Sequence, residues 1–579
     1  AIGSEALRYN TCGDGNVGVG YFALRCGTTS CYNTAVGTHA GRVITTGCYN
    51  NALGSCALYN VTTGGRNAAM GSWALYANTT GTGNVAVGHS VMECNTCGSG
   101  NVALGREALY KNLSGACNVA IGCGALYENT KGCYNIGIGF KAGNKTTTGQ
   151  YNVSLGRCAF FTNTVGSYNQ AIGDKVLHSN VAGNCNTAIG RCSLFSTTSG
   201  CHNVGIGNNT LKSNTTGLCN TAIGPNALNS NTTGGDNIAL GYAALESNTT
   251  GWYNVAMGPQ AMKNNTTSSH NFAVGVCALR SNTTGDYNTA LLYESLCANL
   301  SGAYNTAIGR QALKANTSGC YNHAIGRCAL YTNIAGHCNI AIGDKAGAVA
   351  TSTGNTLIGH TAGAATTTGV NTAVGLQALT TNIDGTENVA VGVQALLSND
   401  SGYQNVAVGV AALQLNTSGL RNVAVGCGAL LSNTTGHCNV AIGCQASYSN
   451  QTGRENVAVG SKAMYSSTVG ENVAVGSCAA TANTTGTNNT ALGFCAMASN
   501  TTGGSNVAIG TCSLATSVTA DGNIAIGRNT LCSNTTGCQN VVVGCSSMCR
   551  NTAGECNTVV GTYAMCSNTR GCWNTAIGY

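Results

Sequence analysis

Residues 237–253 read NIALGYAALESNTTGWY (Asn237–Tyr253), and this seventeen-residue phrase recurs with few changes along the whole 579-residue chain. Its first Asn returns at Asn16, Asn33, Asn50, Asn67, Asn84 and Asn101, and so on to Asn540, Asn557 and Asn574. The span from Asn16 to Asn574 is made of thirty steps of 17 residues and three of 16, the short ones being Asn339 to Asn355, Asn355 to Asn371 and Asn456 to Asn472. A register this strict leaves no room for a linker. The expected organisation is one continuous repeat array over 1–579, without separate domains.

Numbered from that Asn, the consensus is N-[VT]-A-[VI]-G-x-x-A-L-x-x-N-T-T-G-x-[YCN]. β-Branched residues at positions 2 and 4 give the period of a strand. They are expected to face inward, against Ala and Leu of positions 8 and 9 on a second, shorter strand. Gly at position 5 and the N-T-T-G run at 12 to 15 are turn chemistry. Two short strands cannot bury anything alone, so neighbouring repeats must stack. Helical repeat units need 30 or more residues, and Gly, Asn and Thr make poor helices. The expected fold is therefore all-β, a parallel β-solenoid of about 34 coils, one 17-residue coil per repeat, roughly 160 Å long at about 4.8 Å per coil. The position-1 Asn reads equally as one rung of an amide ladder or as a turn residue in a left-handed conformation.

Composition agrees. The chain has 82 Gly, 2 Pro and only 7% charged residues, too little charge and Pro for a disordered chain. Gly lacks the three-residue spacing of collagen, and no apolar run is long enough to span a membrane. A balance of 25 Lys+Arg against 18 Asp+Glu, net +7, is too dilute for a nucleic-acid groove. Thirty-three Cys point to an oxidising, extracellular setting. The chain opens at repeat position 3 (Ala1) and closes at position 6 (Tyr579) with no cap or signal peptide, as expected of an internal segment or of a subunit joining end to end.

The runs Asn-Thr-Ala-Ile-Gly at 186, 220, 305 and 574, and Asn-Val-Ala-Val-Gly at 84, 388, 405, 422, 456 and 472, resemble the head repeats of YadA-like trimeric adhesins. They also resemble the NTAIG-type repeats of viral and phage-tail-fiber-like proteins. The resemblance implies a left-handed parallel β-roll in an extracellular fiber or adhesin, trimeric in many members.

Three residue types are candidates for outward-facing chemistry. The N-glycosylation sequon occurs at position 12 in Asn78, Asn112, Asn214, Asn231, Asn248, Asn265, Asn282, Asn299, Asn316, Asn399, Asn416, Asn433, Asn450, Asn483, Asn500 and Asn534, and off that column at Asn60, Asn144, Asn152, Asn208, Asn264 and Asn488. A turn would point such glycans to solvent from one edge, although N-T-T-G is also good turn chemistry without sugar. Cysteines one coil apart fall within disulfide reach. The candidate pairs are Cys31 with Cys48, Cys117 with Cys133, Cys185 with Cys201, Cys320 with Cys338, Cys427 with Cys444, Cys478 with Cys495, Cys538 with Cys556 and Cys549 with Cys566. Cys495 with Cys512 and Cys532 with Cys549 are alternatives. Tyrosines recur at positions 17 and 10, suiting contact with sugars or a neighbouring chain, or else capping the core. Cys94 and Cys97 have zinc-like spacing but no second pair at finger distance.

Neither a carboxylate pair nor a nucleophile elbow is discernible among the scattered acids. No catalytic, cofactor or metal site is expected, and the chain is not read as an enzyme. Thr side by side in turns does not give the T-x-T face of an ice binder, and the acidic residue of calcium β-rolls is missing. The expected function is a structural subunit or shaft of an extracellular, N-glycosylated filament. Its partners are copies of itself, with neither nucleic acid nor membrane insertion. The alternative is an adhesin or surface fiber binding a host receptor or glycan.

Overall fold

A computed structural model describes residues 1–579. It holds thirty-four strands of three residues each and no helix. The chain divides into two compact units, Ala1–Asn288 and Thr289–Tyr579. The first contains β1 (Val17–Val19) to β16 (Phe272–Val274), the second β17 (Thr289–Leu291) to β34 (Thr575–Ile577). Within each unit every strand pairs in parallel with the next in sequence. Val17 lies opposite Thr34 and Val406 opposite Val423, one repeat apart. The three short repeats keep this register, Ile340 facing Thr356, Thr356 facing Thr372 and Val457 facing Val473, so the missing residue comes out of the turn. The parallel solenoid read from the repeat is thus the fold of both units.

Two expectations about its interior are corrected. Positions 2 and 4 face outward, and the residue between them faces in: Val-Ala-Val of Val406–Val408 is partly exposed, buried, partly exposed. Alternation puts 2 and 4 on one face and 3 on the other, but does not say which face is the core. A coil this narrow admits Ala at 3, with Ala at 8 and Leu at 9 across from it, as Ala407, Ala412 and Leu413 show, all fully buried.

The second strand expected at positions 8 and 9 is instead a turn. Residues at positions 7, 9 and 17 adopt left-handed backbone in almost every coil, for example Cys56 (φ 58), Leu58 (φ 51) and Tyr49 (φ 64). This costs a non-Gly residue about 1–2 kcal/mol. Stacking holds it in place: Leu58 N–H donates to Ala74 O at 3.0 Å, Cys56 N–H to Thr38 O at 2.9 Å and Tyr49 N–H to Cys31 O at 3.0 Å. Each strained residue is thereby tied to an adjacent coil, and the position-9 side chain is buried as well.

Gly is required at position 5. Gly37 has φ +136, and a Cβ there would lie 2.6 Å from the carbonyl oxygen of Gly54 in the next coil.

Candidate interaction surfaces

Two asparagine columns close most coils from inside, although position 12 becomes Ile44, Val61, Thr146 or Ala350 in some. At position 1, Asn33 donates its backbone N–H to Asn16 Oδ1 at 2.9 Å and its Nδ2 to the same oxygen at 3.1 Å. The same Nδ2 reaches Gly47 O across the turn at 2.9 Å. The ladder reading of this Asn is the one the geometry bears out. At position 12, Asn95 Nδ2 donates to Asn78 Oδ1 at 2.8 Å and to Gly98 O at 3.0 Å, and that carbonyl also accepts Asn84 Nδ2 at 2.9 Å. Where both columns carry Asn, one Gly carbonyl is clamped by both; Ser30, Ser268 and Ala520 stand in for that Gly in coils of 17 residues, and Ser352 and Val469 accept the position-1 Asn in two short ones.

The expected outward row of glycans on position 12 is therefore corrected. Asn78, Asn112, Asn214, Asn231, Asn248, Asn265, Asn282, Asn299, Asn316, Asn399, Asn416, Asn433, Asn450, Asn483, Asn500 and Asn534 are all 0% exposed. Their amide nitrogens serve the inner ladder, and a sugar on Nδ2 would have to break it. Asn152 belongs to the position-1 ladder and is buried too, and Asn60 and Asn144 are half-buried. Among the sequons, Asn208, Asn264 and Asn488 are exposed.

The expected disulfide partners are not drawn together: none of the thirty-three cysteines is bonded to another in the structure. Four of the expected pairs join neighbouring columns: Cys117 and Cys133, Cys185 and Cys201, Cys320 and Cys338, and Cys538 and Cys556 are not bonded. Their position-17 members Cys117, Cys185, Cys338 and Cys556 all have left-handed backbone (φ 56, 56, 56 and 54). Their position-16 members are engaged elsewhere. Cys133 Sγ accepts Ala116 N–H at 3.3 Å, Cys201 Sγ accepts Asn184 N–H at 3.3 Å, Cys320 Sγ accepts Ala303 N–H at 3.3 Å and Cys538 Sγ accepts Asp521 N–H at 3.4 Å. Cys556 Sγ turns instead to Gln539 Oε1, to which it donates at 3.3 Å, and Cys338 is exposed.

The other four expected pairs share a column: Cys31 and Cys48, Cys427 and Cys444, Cys478 and Cys495, and Cys549 and Cys566 are not bonded either. Stacked coils repeat at about 4.8 Å, whereas a disulfide needs its Cβ atoms near 3.8 Å. Cys427 and Cys444 both stay exposed at position 6, and Cys48 Sγ accepts Cys31 N–H at 3.1 Å. Position 16 is thus a column of acceptors, where Ser99, Asp286 and Asn184 take the same N–H at 3.0, 2.7 and 2.8 Å. The signal was present in the sequence, because Cys, Ser, Asp and Asn have in common an acceptor one bond from Cβ or close to it.

Outside, the largest ordered feature is the sheet face itself. Positions 2 and 4 carry Val, Ile, Thr, Leu, Met, Phe or Ala almost throughout, and no strand carries Asp, Glu, Lys or Arg. Aromatic rings form the second feature. Tyr134, Tyr151 and Tyr168 at position 17 stack at 4.9 and 5.0 Å with planes 3° and 8° apart, and are 51%, 44% and 60% exposed. Position 10 carries similar stacks, Tyr110 on Tyr127 at 5.1 Å and Tyr448 on Tyr465 at 5.0 Å. These rings line the surface and do not cap the core.

Charged groups pair along the coil axis. Arg157 grips Asp174 through Nε and Nη2 at 2.9 and 3.1 Å, and Arg327 grips Asp344 at 2.8 and 2.9 Å. The Arg157 hydrogen bond holds the Asp174 carboxyl below its usual range. The cavities are shallow. One of about 410 Å³ opens at the short repeat beside Arg454, Val469, Gly470 and Glu471, where the turn has lost a residue. No group of three or more His, Cys, Asp or Glu is gathered to hold an ion. No model of a known protein family matches the chain, and a search of curated proteins finds no match.

Proposed function

We propose that the chain is a non-catalytic structural subunit of an extracellular filament, associating side by side with other copies of itself. The observation that carries this reading is the outer sheet face, apolar or neutral in strand after strand. Surfaces that flat and uncharged serve for face-to-face packing of sheets. Three residues make a strip roughly 10 Å wide that grows by about 4.8 Å per strand. The strands from β17 to β34 then offer roughly 850 Å², close to one partner's share of a stable interface. A second copy has the same repeat, so its ridges match this face at every coil. The extracellular setting rests on the exposed sequons and the sparse charge. N-linked glycans are proposed only for the exposed sequons Asn208, Asn264 and Asn488.

Electron microscopy and sedimentation of the full chain test the filament reading. Filaments or concentration-dependent assemblies are expected, and Val406→Lys with Val440→Lys should disperse them while leaving the β circular dichroism intact. Isolated monomers at every concentration would overturn it.

A second reading, an adhesin that binds glycans, is favoured by the exposed Tyr134–Tyr151–Tyr168 stack, because flat rings suit sugar faces. Carbohydrate binding that is lost in Tyr151→Ala would support it; binding unchanged by that substitution would not.

A further inference from the structure

Six successive coils, those beginning at Asn472, Asn489, Asn506, Asn523, Asn540 and Asn557, each bring a thiol to one edge of the second unit. Cys478, Cys495 and Cys512 stand at position 7, and Cys532, Cys549 and Cys566 at position 10. We propose that these six thiols form a ladder that binds a soft, two-coordinate monovalent cation, Cu(I) being the chemistry that fits. The proposal is independent of the filament reading.

The geometry is regular on both halves. Cys478, Cys495 and Cys512 share one left-handed backbone conformation (φ 57, 53 and 54), so their side chains leave the coil in the same direction. Cys495 N–H to Ser477 O at 3.0 Å and Cys512 N–H to Phe494 O at 2.9 Å hold them in register. On the other column, Cys532 Sγ donates to Cys549 O at 3.3 Å and Cys549 Sγ to Cys566 O at 3.6 Å. The step between columns, Cys512 to Cys532, is a separation of 20 residues. The same separation elsewhere places Lys314 Nζ 2.9 Å from Glu294 Oε2 and Gln414 Nε2 3.0 Å from Gln394 Oε1. Side chains at these two positions of adjacent coils thus point to one common edge.

Distance and ligand number select the ion. Zinc and iron–sulfur clusters take four ligands, and no group of three is gathered here. A cation held in line by two thiolates needs its sulfurs apart by twice a metal–sulfur bond of roughly 2.3 Å, about 4.6 Å. Coils repeat at about 4.8 Å. The same pairs must be drawn together to form a disulfide, whose Cβ atoms lie near 3.8 Å, but not to bind metal. Thiolates are also the ligands that select Cu(I) among the biological cations.

A thiophilic ion displaces the thiol proton on binding. Each site forms two metal–sulfur bonds, releases two protons and ends with one negative charge, without any change of oxidation state. Two thiols per ion allow three ions on the ladder.

The test is thiol footprinting of the full chain, anaerobic and reduced with a phosphine, with one to three equivalents of Cu(I). Peptide mass spectrometry then reads which cysteines escape alkylation. The six ladder thiols should be protected first, and X-ray absorption should show two sulfur neighbours per copper. The pair Cys495→Ser and Cys549→Ser should strip protection from Cys478 and Cys566 while Cys512 and Cys532 keep theirs; Cys545→Ser, outside the ladder, should change nothing. Protection spread evenly over all cysteines, or persisting at Cys478 and Cys566 in the double variant, would overturn the proposal. So would finding the six already joined as disulfides in the isolated protein.

Discussion

Leu292 stands where its unit otherwise has Gly, at position 5, with φ 82. Its side chain is over half exposed, so burial does not compensate for the backbone. Leu292→Gly is expected to raise stability by about 1–2 kcal/mol, read as a shift in the denaturation midpoint; an unchanged or lower midpoint would count against the strain argument. A second residue carries a pH dependence. His178 is stacked between Phe161 and Phe195 at 5.2 and 5.0 Å. Burial, and then Lys175, holds its imidazole below the ordinary value. The folded chain thus binds fewer protons there than the unfolded chain, and the stability this gives is present above about pH 6.5 and lost as pH falls toward the lowered value. Melting temperature should drop between about pH 7 and pH 5, and His178→Phe, which extends the aromatic stack, should flatten that drop. A titration identical in both proteins would exclude His178 as its source.

At the scale of the coil, size is traded between positions 3 and 9. Where position 3 becomes Leu357, position 9 shrinks to Gly347 and Gly363 in the preceding and the same coil, and Cβ atoms added there would lie 2.6 and 2.5 Å from the Leu357 methyls. Volume is conserved although neither column keeps its residue. Leu357→Ala alone is expected to cost about 2–4 kcal/mol through the cavity it leaves. Leu357→Ala combined with Gly363→Leu restores the consensus pair, and should recover more than half of that loss in chemical denaturation. Additive losses in the double variant would refute the trade. The strand at positions 2 to 4 and the turn at 12 to 15 were legible in the repeat, as was the inward Ala and Leu at 8 and 9, though not that the latter lie in a turn. The outward direction of Val406 and Val408 was not, because alternation is symmetric between faces. Nor was the left-handed turn at Leu58, because Leu ordinarily avoids that conformation and only the stacked hydrogen bonds enforce it.

At the scale of the molecule, each coil bonds mainly to its immediate neighbours, the pattern of a one-dimensional array. A whole coil should then be removable. Deleting residues 405–421 leaves Val389 facing Val423 one repeat away, and the β circular dichroism per residue and the melting temperature should change little. Deleting 405–412 removes half a coil, throws the Asn and Gly columns out of register, and should abolish cooperative melting of the second unit. Equal effects from both deletions would mean that the register is not what holds the array. The candidate surfaces were only partly readable in advance. The Tyr columns emerged from spacing alone, since residues one repeat apart must stack. The sequons at Asn78 and its column misled, because a motif that signals a turn says nothing of which way the side chain turns. Cysteine spacing is equally silent on where a thiol turns: Cys320 and Cys338 lie one coil apart, and the Cys320 sulfur accepts the Ala303 N–H.

The sequence by itself determined that this chain is a parallel β-solenoid with a coil of 17 residues, since a strict period of short strands and turns has no other way to bury its apolar residues. Tertiary structure alone decided which side of each residue meets the core. In a coil so narrow, Ala, the position-9 Leu and the paired Asn amides fill the interior, and the Val and Ile of positions 2 and 4 are left outside with Tyr. An inward Asn costs nothing when each amide finds the one below it, and that partner exists only once the coils have stacked.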